Sequence, residues 1–410
     1  MSAPYRVVVT GMGGVTALGE SWPTVAARLR ARKNAVQRMP EWDRHEMLHT
    51  RLGAPVTDFE PQAHYPRKMT RSMGRVALLA LRASELALGQ AGLLEDASIR
   101  DGRMGIAYGS ASGSFEPVRV FGQMLTTGSM QGVTSTSYIQ MMSHTAAVNV
   151  GLYFGLKGRV IPTSSACTSG SQGIGYAFEA VRSGKQPLML AGGAEELSAP
   201  AAAVFDTLFA TSTRNDAPHS TPRPFDKARD GLVVGEGAAT LVLEELEHAR
   251  ARGARPLAEV VGFATNSDGA HVTQPDEHEQ AHAISMALAD AGVPASAIGY
   301  VGAHGTATDR GDISEAHAMR KVLGRAPVSA MKSYIGHTLG ACGAIEAWWT
   351  IEMMRAGWFA PTLNLETPDA ECADLDHITG EGRSLDIEYV MKNNFAFGGI
   401  NTSLVFRRTA

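Results

Sequence analysis

Along this chain, short runs of β-branched and aliphatic residues alternate with longer stretches whose apolar positions recur at helical spacing. Residues 6–10 read as a buried strand ending at Gly11. Residues 73–93 carry Val76, Leu79, Ala80 and Ala83 on one face, which predicts a helix. Short strands follow at 105–109 and at 188–191, the second stopping before Gly192-Gly193. Between them Ile174, Ala177, Phe178 and Val181 form the stripe of a helix over 171–183. Strands are again expected at 300–302 and 328–331, with an Ala/Gly-rich helix start at 341–346. This alternation predicts an α/β fold.

One segment occurs twice. Ala87-Leu88-Gly89-Gln90-Ala91-Gly92-Leu93 matches Ala287-Leu288-Ala289-Asp290-Ala291-Gly292-Val293, and each lies between a helical pattern and a strand ending in glycine (105–109 and 300–305). Duplication explains this, and so does the common use of glycine to end helices. At roughly 100–200 residues per domain, 410 residues suggest about two core-forming units. The charged stretch 244–255 is expected to be a helix closing the first, which divides the chain into 1–253 and 254–410.

Composition removes several function classes. A net charge of −4 gives no bulk attraction to nucleic acid or to an anionic membrane. The cysteines Cys167, Cys342 and Cys372 are too few and too scattered for a disulfide framework, and no Cys/His cluster has zinc-finger spacing. The first six residues lead straight into Val7-Val8-Val9, without a signal core of about 7–15 residues, and no apolar run approaches the ~20 residues of a membrane span. A cytoplasmic protein is expected. Gly11-Met12-Gly13-Gly14 after a strand invites a dinucleotide reading, but the third glycine of that fingerprint falls on Thr16, and 31–38 hold no acidic residue for a ribose. A structural turn is expected there, and no nucleotide.

The chemistry-bearing residues sit at the ends of these elements. Cys167, in Ser164-Ser165-Ala166-Cys167-Thr168-Ser169-Gly170, lies just before the 171–183 helix among small residues. Unpaired N–H groups and the helix dipole there favour a thiolate and offer donors to an oxyanion; a small buried space-filling cysteine fits the segment as well. His304 and His337 each follow a strand and are flanked by glycine, where loops carry chemistry. Histidine there can serve as a base or as a neutral donor to a developing enolate. Lys332 and Glu346 fit either a buried pair orienting the histidines or a solvated surface pair. Near the end, Gly398-Gly399 permits a loop presenting an N–H beside Phe397, or a plain hairpin turn.

Taken in order, Cys167 in its Ser/Ala/Thr setting, His304-Gly305-Thr306-Ala307-Thr308, Lys332-Ser333-x-x-Gly336-His337 and Phe397-Gly398-Gly399 resemble the elongating β-ketoacyl-acyl-carrier-protein synthases. So does the stretch from Ser212-Thr213-Arg214-Asn215-Asp216 through Pro224-Phe225-Asp226-Lys227-x-Arg229-Asp230-Gly231. The resemblance spans nearly the whole chain. It implies a thiolase-like fold, with duplicated halves in a five-layered αβαβα sandwich and usually a homodimer. It implies that Cys167 takes an acyl chain from an acyl carrier protein, with the N–H groups of Cys167 and Phe397 as oxyanion hole. Malonyl-carrier then loses CO₂ while His304 and His337 stabilise the enolate. It further assigns support to Lys332, Glu346 and Asp312, a gate to Phe397-Gly398, the malonyl side to Thr306 and Thr308, and a place near the nucleophile to Phe205. Arg67, Lys68 and Arg71 match a basic patch for an acidic carrier. No metal or redox cofactor is implied.

The chain departs from that pattern in several places. Ala396 and Ile400 replace glycine and threonine in the last motif, which is expected to stiffen the gate; Phe209 stands where a basic residue is frequent. Ser112 and Ser137 stand where bulkier apolar pocket residues are usual, which suggests a wider or more polar acyl pocket. A thiolase would need a second catalytic cysteine within 396–401, which has none. The priming synthases would have asparagine where His337 stands, and a non-catalytic chain-length factor would lack Cys167.

Overall fold

A computed structural model describes residues 4–409; residues 1–3, which open the N-terminal stretch read for a leader, and Ala410 lie outside it. Eleven strands form the main hydrogen-bonded array: β1 (Val7–Thr16), β2 (Met104–Gly109), β3 (Val160–Thr163), β4 (Leu188–Glu195), β5 (Gly237–Glu245), β6 (Ala258–Ser267), β7 (Ile298–Gly302), β8 (Pro327–Ser329), β9 (Asp376–His377), β10 (Tyr389–Ala396) and β11 (Ile400–Arg408). Their spatial order is β9-β8-β7-β10-β11-β6-β1-β5-β4-β2-β3. The seam between β6 and β1 is narrow, pairing only Val7, Val8 and Val9 with Val260, Glu259 and Ala258. It separates two halves of the array, each built on its own segment of chain.

Six helices complete the layers: α1 (Arg75–Ala91), α2 (Thr145–Phe154), α3 (Ser169–Arg182), α4 (Glu277–Ala291), α5 (Asp309–Leu323) and α6 (Cys342–Ala356). Helices α1 and α2 share a core with Ile106, Leu188 and Leu190 of the first half. Helices α4 and α5 do the same with Val301, Met391 and Val405 of the second. Between the halves lie α3 and α6, whose Ile174, Phe178, Ile345 and Trp349 join strand residues of both in one core. Helix α6 is buried from Cys342 to Met354, which an amphipathic sequence could not sustain. Five αβαβα layers result.

The repeated segment is a repeated interlock. α1 ends in left-handed Gly92 (φ 70°) and α4 in left-handed Gly292 (φ 67°). The N–H of Leu93 reaches Leu88 O, as that of Val293 reaches Leu288 O. Against α1, a Cβ on Gly11 of β1 would lie 2.2 Å from Ala87 O and 2.8 Å from Ala91 Cβ. Against α4, a Cβ on Gly262 of β6 would lie 2.5 Å from Ala287 O and 2.8 Å from Ala291 Cβ. We expect Gly11→Ala and Gly262→Ala each to cost about 3 kcal/mol, since backbone must move to admit one methyl. Urea denaturation measures this, and unchanged midpoints would refute the close packing.

Several expected boundaries shift for one reason. β1 does not end at Gly11 but runs through the glycines, pairing Gly11–Thr16 with β5 as far as Gly237, so the expected turn is strand. Likewise β4 continues through Gly192-Gly193 to Glu195. Strands buried on both sides beside close-packed helices need small residues, and the same glycines read as punctuation in a sequence. The expected helix at 244–255 is one short helix at Leu246–Ala251, because Glu244 and Glu245 finish β5.

Candidate active site

The position of Cys167 is set by a sharp turn. After β3, Ala166 takes a left-handed conformation (φ 48°) and residues Ala166–Thr168 form one 3₁₀ turn before α3 begins. Cys167 is therefore displayed at the tip of α3, buried at 5% exposure. Burial pushes its thiol up to about 11, opposed by the charge of Lys332 and by the N–H groups of Phe397 and of Cys167 itself. The aligned peptide dipoles of α3 oppose burial in the same sense.

The loops after β7 and β8 bring two imidazoles to this sulfur. His337 Nε2 lies 3.0 Å from Cys167 Sγ. The rings of His304 and His337 are 5.2 Å apart, edge to face. Their tautomers follow from their other nitrogens. His337 Nδ1 faces the Leu339 N–H at 3.2 Å, which can only donate. His304 Nδ1 faces the Lys332 ammonium at 3.1 Å, which also only donates. Both protons therefore sit on Nε2. Burial holds both histidines well below the ordinary imidazole value, and Lys332 and Lys392 add to this. The site thus offers two neutral N–H donors beside one sulfur, suited to an oxyanion or enolate rather than to a proton-accepting base.

Cys167, His304 and His337 place ligand atoms within 4.8 Å of one another, a spacing a soft metal could use. The groups around the two rings do not fit one. A metal on either Nε2 needs the Nδ1–H tautomer, and that hydrogen would point at the Lys332 ammonium or the Leu339 N–H.

Lys332 and Glu346 form a buried pair at 2.6 Å, not a surface one. Asp312 ties the histidine loop down by accepting the N–H groups of Phe225 (2.7 Å) and Ala307 (3.1 Å), and burial raises it to about 7. Thr306 and Thr308, their hydroxyls 2.8 Å apart, line a cavity of about 530 Å³ that also contains Cys167, His304, His337, Phe205 and Phe397. Phe205 packs against Phe397 at 5.3 Å and against His337 at 6.3 Å. Leu208, Phe209 and Val272 stand exposed on the lining.

Other expected residues are not brought in. Gly398 is exposed and gives its N–H to Val272 O (2.8 Å), so of the proposed gate pair only Phe397 turns toward the sulfur. Ser112 is exposed, and Ser137 is buried but spends its hydroxyl on Thr134; neither lines the cavity. Arg67, Lys68 and Arg71 are exposed in turns before α1, outside the cavity lining. Ala396 closes β10 opposite Ile400 with no left-handed angle, so its methyl is accommodated without strain.

Sequence reasoning missed four groups. Glu315 accepts the N–H of His304 (2.6 Å) and of Gly305 (2.7 Å), fixing the loop from below. Glu195, raised to about 7 by burial, accepts the N–H groups of Ala111 and Gly340 and so anchors the loop after His337. Asn394 reaches His304 Nδ1 at 3.2 Å. Lys392, a charge inside the apolar strand run of β10, pairs with Glu346 at 2.6 Å; that misplaced charge was a usable signal.

Comparison with known proteins finds relatives along the whole chain. The family model described as Beta-ketoacyl synthase, N-terminal domain, matches residues 5–249, and Beta-ketoacyl synthase, C-terminal domain, matches 257–366. The chain is 37% identical to a 3-oxoacyl-[acyl-carrier-protein] synthase 2 of Vibrio harveyi over 99% of both chains. Its structure is similar to a beta-ketoacyl synthase from Burkholderia phymatum STM815 (TM-score 0.98, 67% identity, 99% of this chain and 100% of that one). It is also similar to a ketosynthase solved with its type II PKS acyl-carrier protein and a hexaketide (TM-score 0.88, 31% identity, 99% and 100%).

Proposed function

The chain belongs to the β-ketoacyl synthase family, and we propose that it condenses a Cys167-bound acyl chain with malonyl-acyl-carrier protein, giving β-ketoacyl-carrier and CO₂. The observation that carries this is the Cys167 sulfur 3.0 Å from His337, with two Nε2–H donors converging on one cavity.

The Cys167 sulfur attacks the carbonyl of an acyl-carrier thioester, the bond to the carrier sulfur breaks, and the thiol proton passes to that departing sulfur, so the carrier leaves as a thiol. The N–H groups of Cys167 and Phe397 receive the transient oxyanion. Malonyl-carrier then enters along Thr306 and Thr308. Its C–CO₂⁻ bond breaks, CO₂ departs, and the electron pair moves onto the thioester oxygen, held by His304 and His337. The enolate carbon attacks the Cys167 thioester, a carbon–carbon bond forms, and the carbon–sulfur bond breaks, the sulfur leaving as a thiolate that takes a proton from water. The β-carboxylate supplies the driving force, so no step draws on a redox group.

The acyl carrier as partner is supported by the relatives' names and by the solved carrier complex. Arg67, Lys68 and Arg71 are exposed as a docking patch requires. A homodimer is supported by β3, an outermost strand with Val160 exposed, which a second copy can cover. A division near 253/254 is supported by family models that meet between 249 and 257. Ser112 and Ser137 do not line the cavity that holds Thr306 and Thr308, so a wider or more polar acyl pocket draws no support from it. Among the described residues no helix is long and apolar enough to cross a membrane.

Purified protein given malonyl-carrier and a panel of acyl-carriers is expected to release CO₂ and β-ketoacyl-carrier in equal amounts. Failure with every acyl chain would reject the proposal. The pH dependence is a second check. A histidine whose value is depressed stays neutral until the pH drops below its ordinary 6.5, so decarboxylation should remain flat as the pH falls from 8 through 6.5. An acid limb centred at 6.5 would mean that the histidines are solvated instead.

A further inference from the structure

Lys392 is fully buried, and four oxygens surround its ammonium: Gly302 O at 3.1 Å, Ala303 O at 3.0 Å, Asn393 O at 2.6 Å and Glu346 Oε2 at 2.6 Å. Two of those carbonyls immediately precede His304. The carboxylate is the one whose other oxygen holds Lys332, and Lys332 in turn holds His304. One side chain therefore grips both supports of that histidine, the backbone it hangs from and the ion pair that fixes its tautomer.

We propose that Lys392 is a positioning residue for the condensing reaction: it pins the backbone ahead of His304 and the far oxygen of Glu346, so that Lys332 stays aimed at His304 Nδ1. The inference rests on the condensing activity proposed above. Without Lys392, Glu346 would have one buried oxygen without a counter-charge and would be free to rotate away from Lys332, while the β7 exit would lose its cross-link to β10 and α6.

Titratable groups pack around the two histidines from every side. Lys332 lies on the segment leading to His337, Lys392 on β10, Glu346 and Cys342 on α6, Glu315 and Asp312 on or beside α5, Cys167 at the tip of α3, and Glu195 at the end of β4. Both ammonium groups oppose protonation of His304 and His337. Removing one positive charge from this set raises the pH at which the imidazoles protonate, which a purely space-filling role would not do.

The test is Lys392→Met in the full-length chain, assayed for condensation. We expect kcat to fall about 100-fold, KM for malonyl-carrier to change little, and the acid limb to move up toward pH 6.5. Methylammonium should restore part of kcat, since the vacated site keeps three carbonyls and a carboxylate, whereas tetramethylammonium should not. A folded variant with unchanged kcat and pH profile would overturn the proposal, as would a folded, impaired one with no pH shift and no amine rescue. Lys392→Gln, which keeps donors for the carbonyls but not the charge, should show the same pH shift if the methionine variant does not fold. In the unaltered protein, ¹⁵N spectra should report both histidines as neutral Nε2–H tautomers at pH 6; a protonated His304 there would overturn the proposal however the variants behave. If the unaltered chain neither condenses nor decarboxylates, the functional assignment fails instead.

Discussion

Cys167→Gln is expected to abolish condensation, by about 10³-fold or more, while malonyl-carrier decarboxylation continues. The two half-reactions use different atoms. Acyl transfer needs the sulfur at the tip of α3, but decarboxylation needs only the thioester carbonyl seated between His304 and His337. A glutamine amide at position 167 cannot take an acyl group, yet it fills the space of an acylated cysteine and can accept from the His337 Nε2–H that otherwise meets the sulfur. Separate measurement of CO₂ and of β-ketoacyl product distinguishes the outcomes. Retained condensation would show that Cys167 is not the nucleophile. Loss of both activities in a folded variant would place the sulfur in decarboxylation too.

The second large effect is expected at the histidines. His304→Ala or His337→Ala each removes one preformed donor to the enolate oxygen, which costs on the order of 10²–10³ in kcat where the donor is desolvated. The two variants should differ in acyl transfer. His337 touches the sulfur directly, so its loss should slow acylation of Cys167, whereas His304, held by Lys332 and Asn394, should leave acylation nearly intact. Single-turnover acylation with an acyl-carrier separates these steps. Equal damage by both substitutions would mean that the rings act as one unit from the first step.

The chemistry of the site was legible because reactive residues occur at element ends in fixed motifs, so Cys167, His304, His337 and Lys332 could be named from the chain alone. What surrounds them was harder to read. Glu195 and Asn394 carry no local signature, since their partners lie far along the sequence: Gly340 for one, His304 for the other. Lys392 did break an apolar strand pattern and could have been singled out. Ser112 and Ser137 do not line the cavity at Cys167, and correspondence by position does not say which way a side chain points. In the fold, the alternation and the repeat were readable, while β1 and β4 were cut short because glycine admits either a turn or the close approach of a helix.

That close approach has a consequence for how such a molecule could arise. Gly11 with α1 and Gly262 with α4 are one joint made twice, so an ancestral gene copied in tandem would inherit a working scaffold at both ends without further invention. Natural selection could then leave the joints alone and alter only the exits, giving thiol to one copy and imidazole to the other. In such a lineage, division of labour between the copies follows from preserving what holds each of them together.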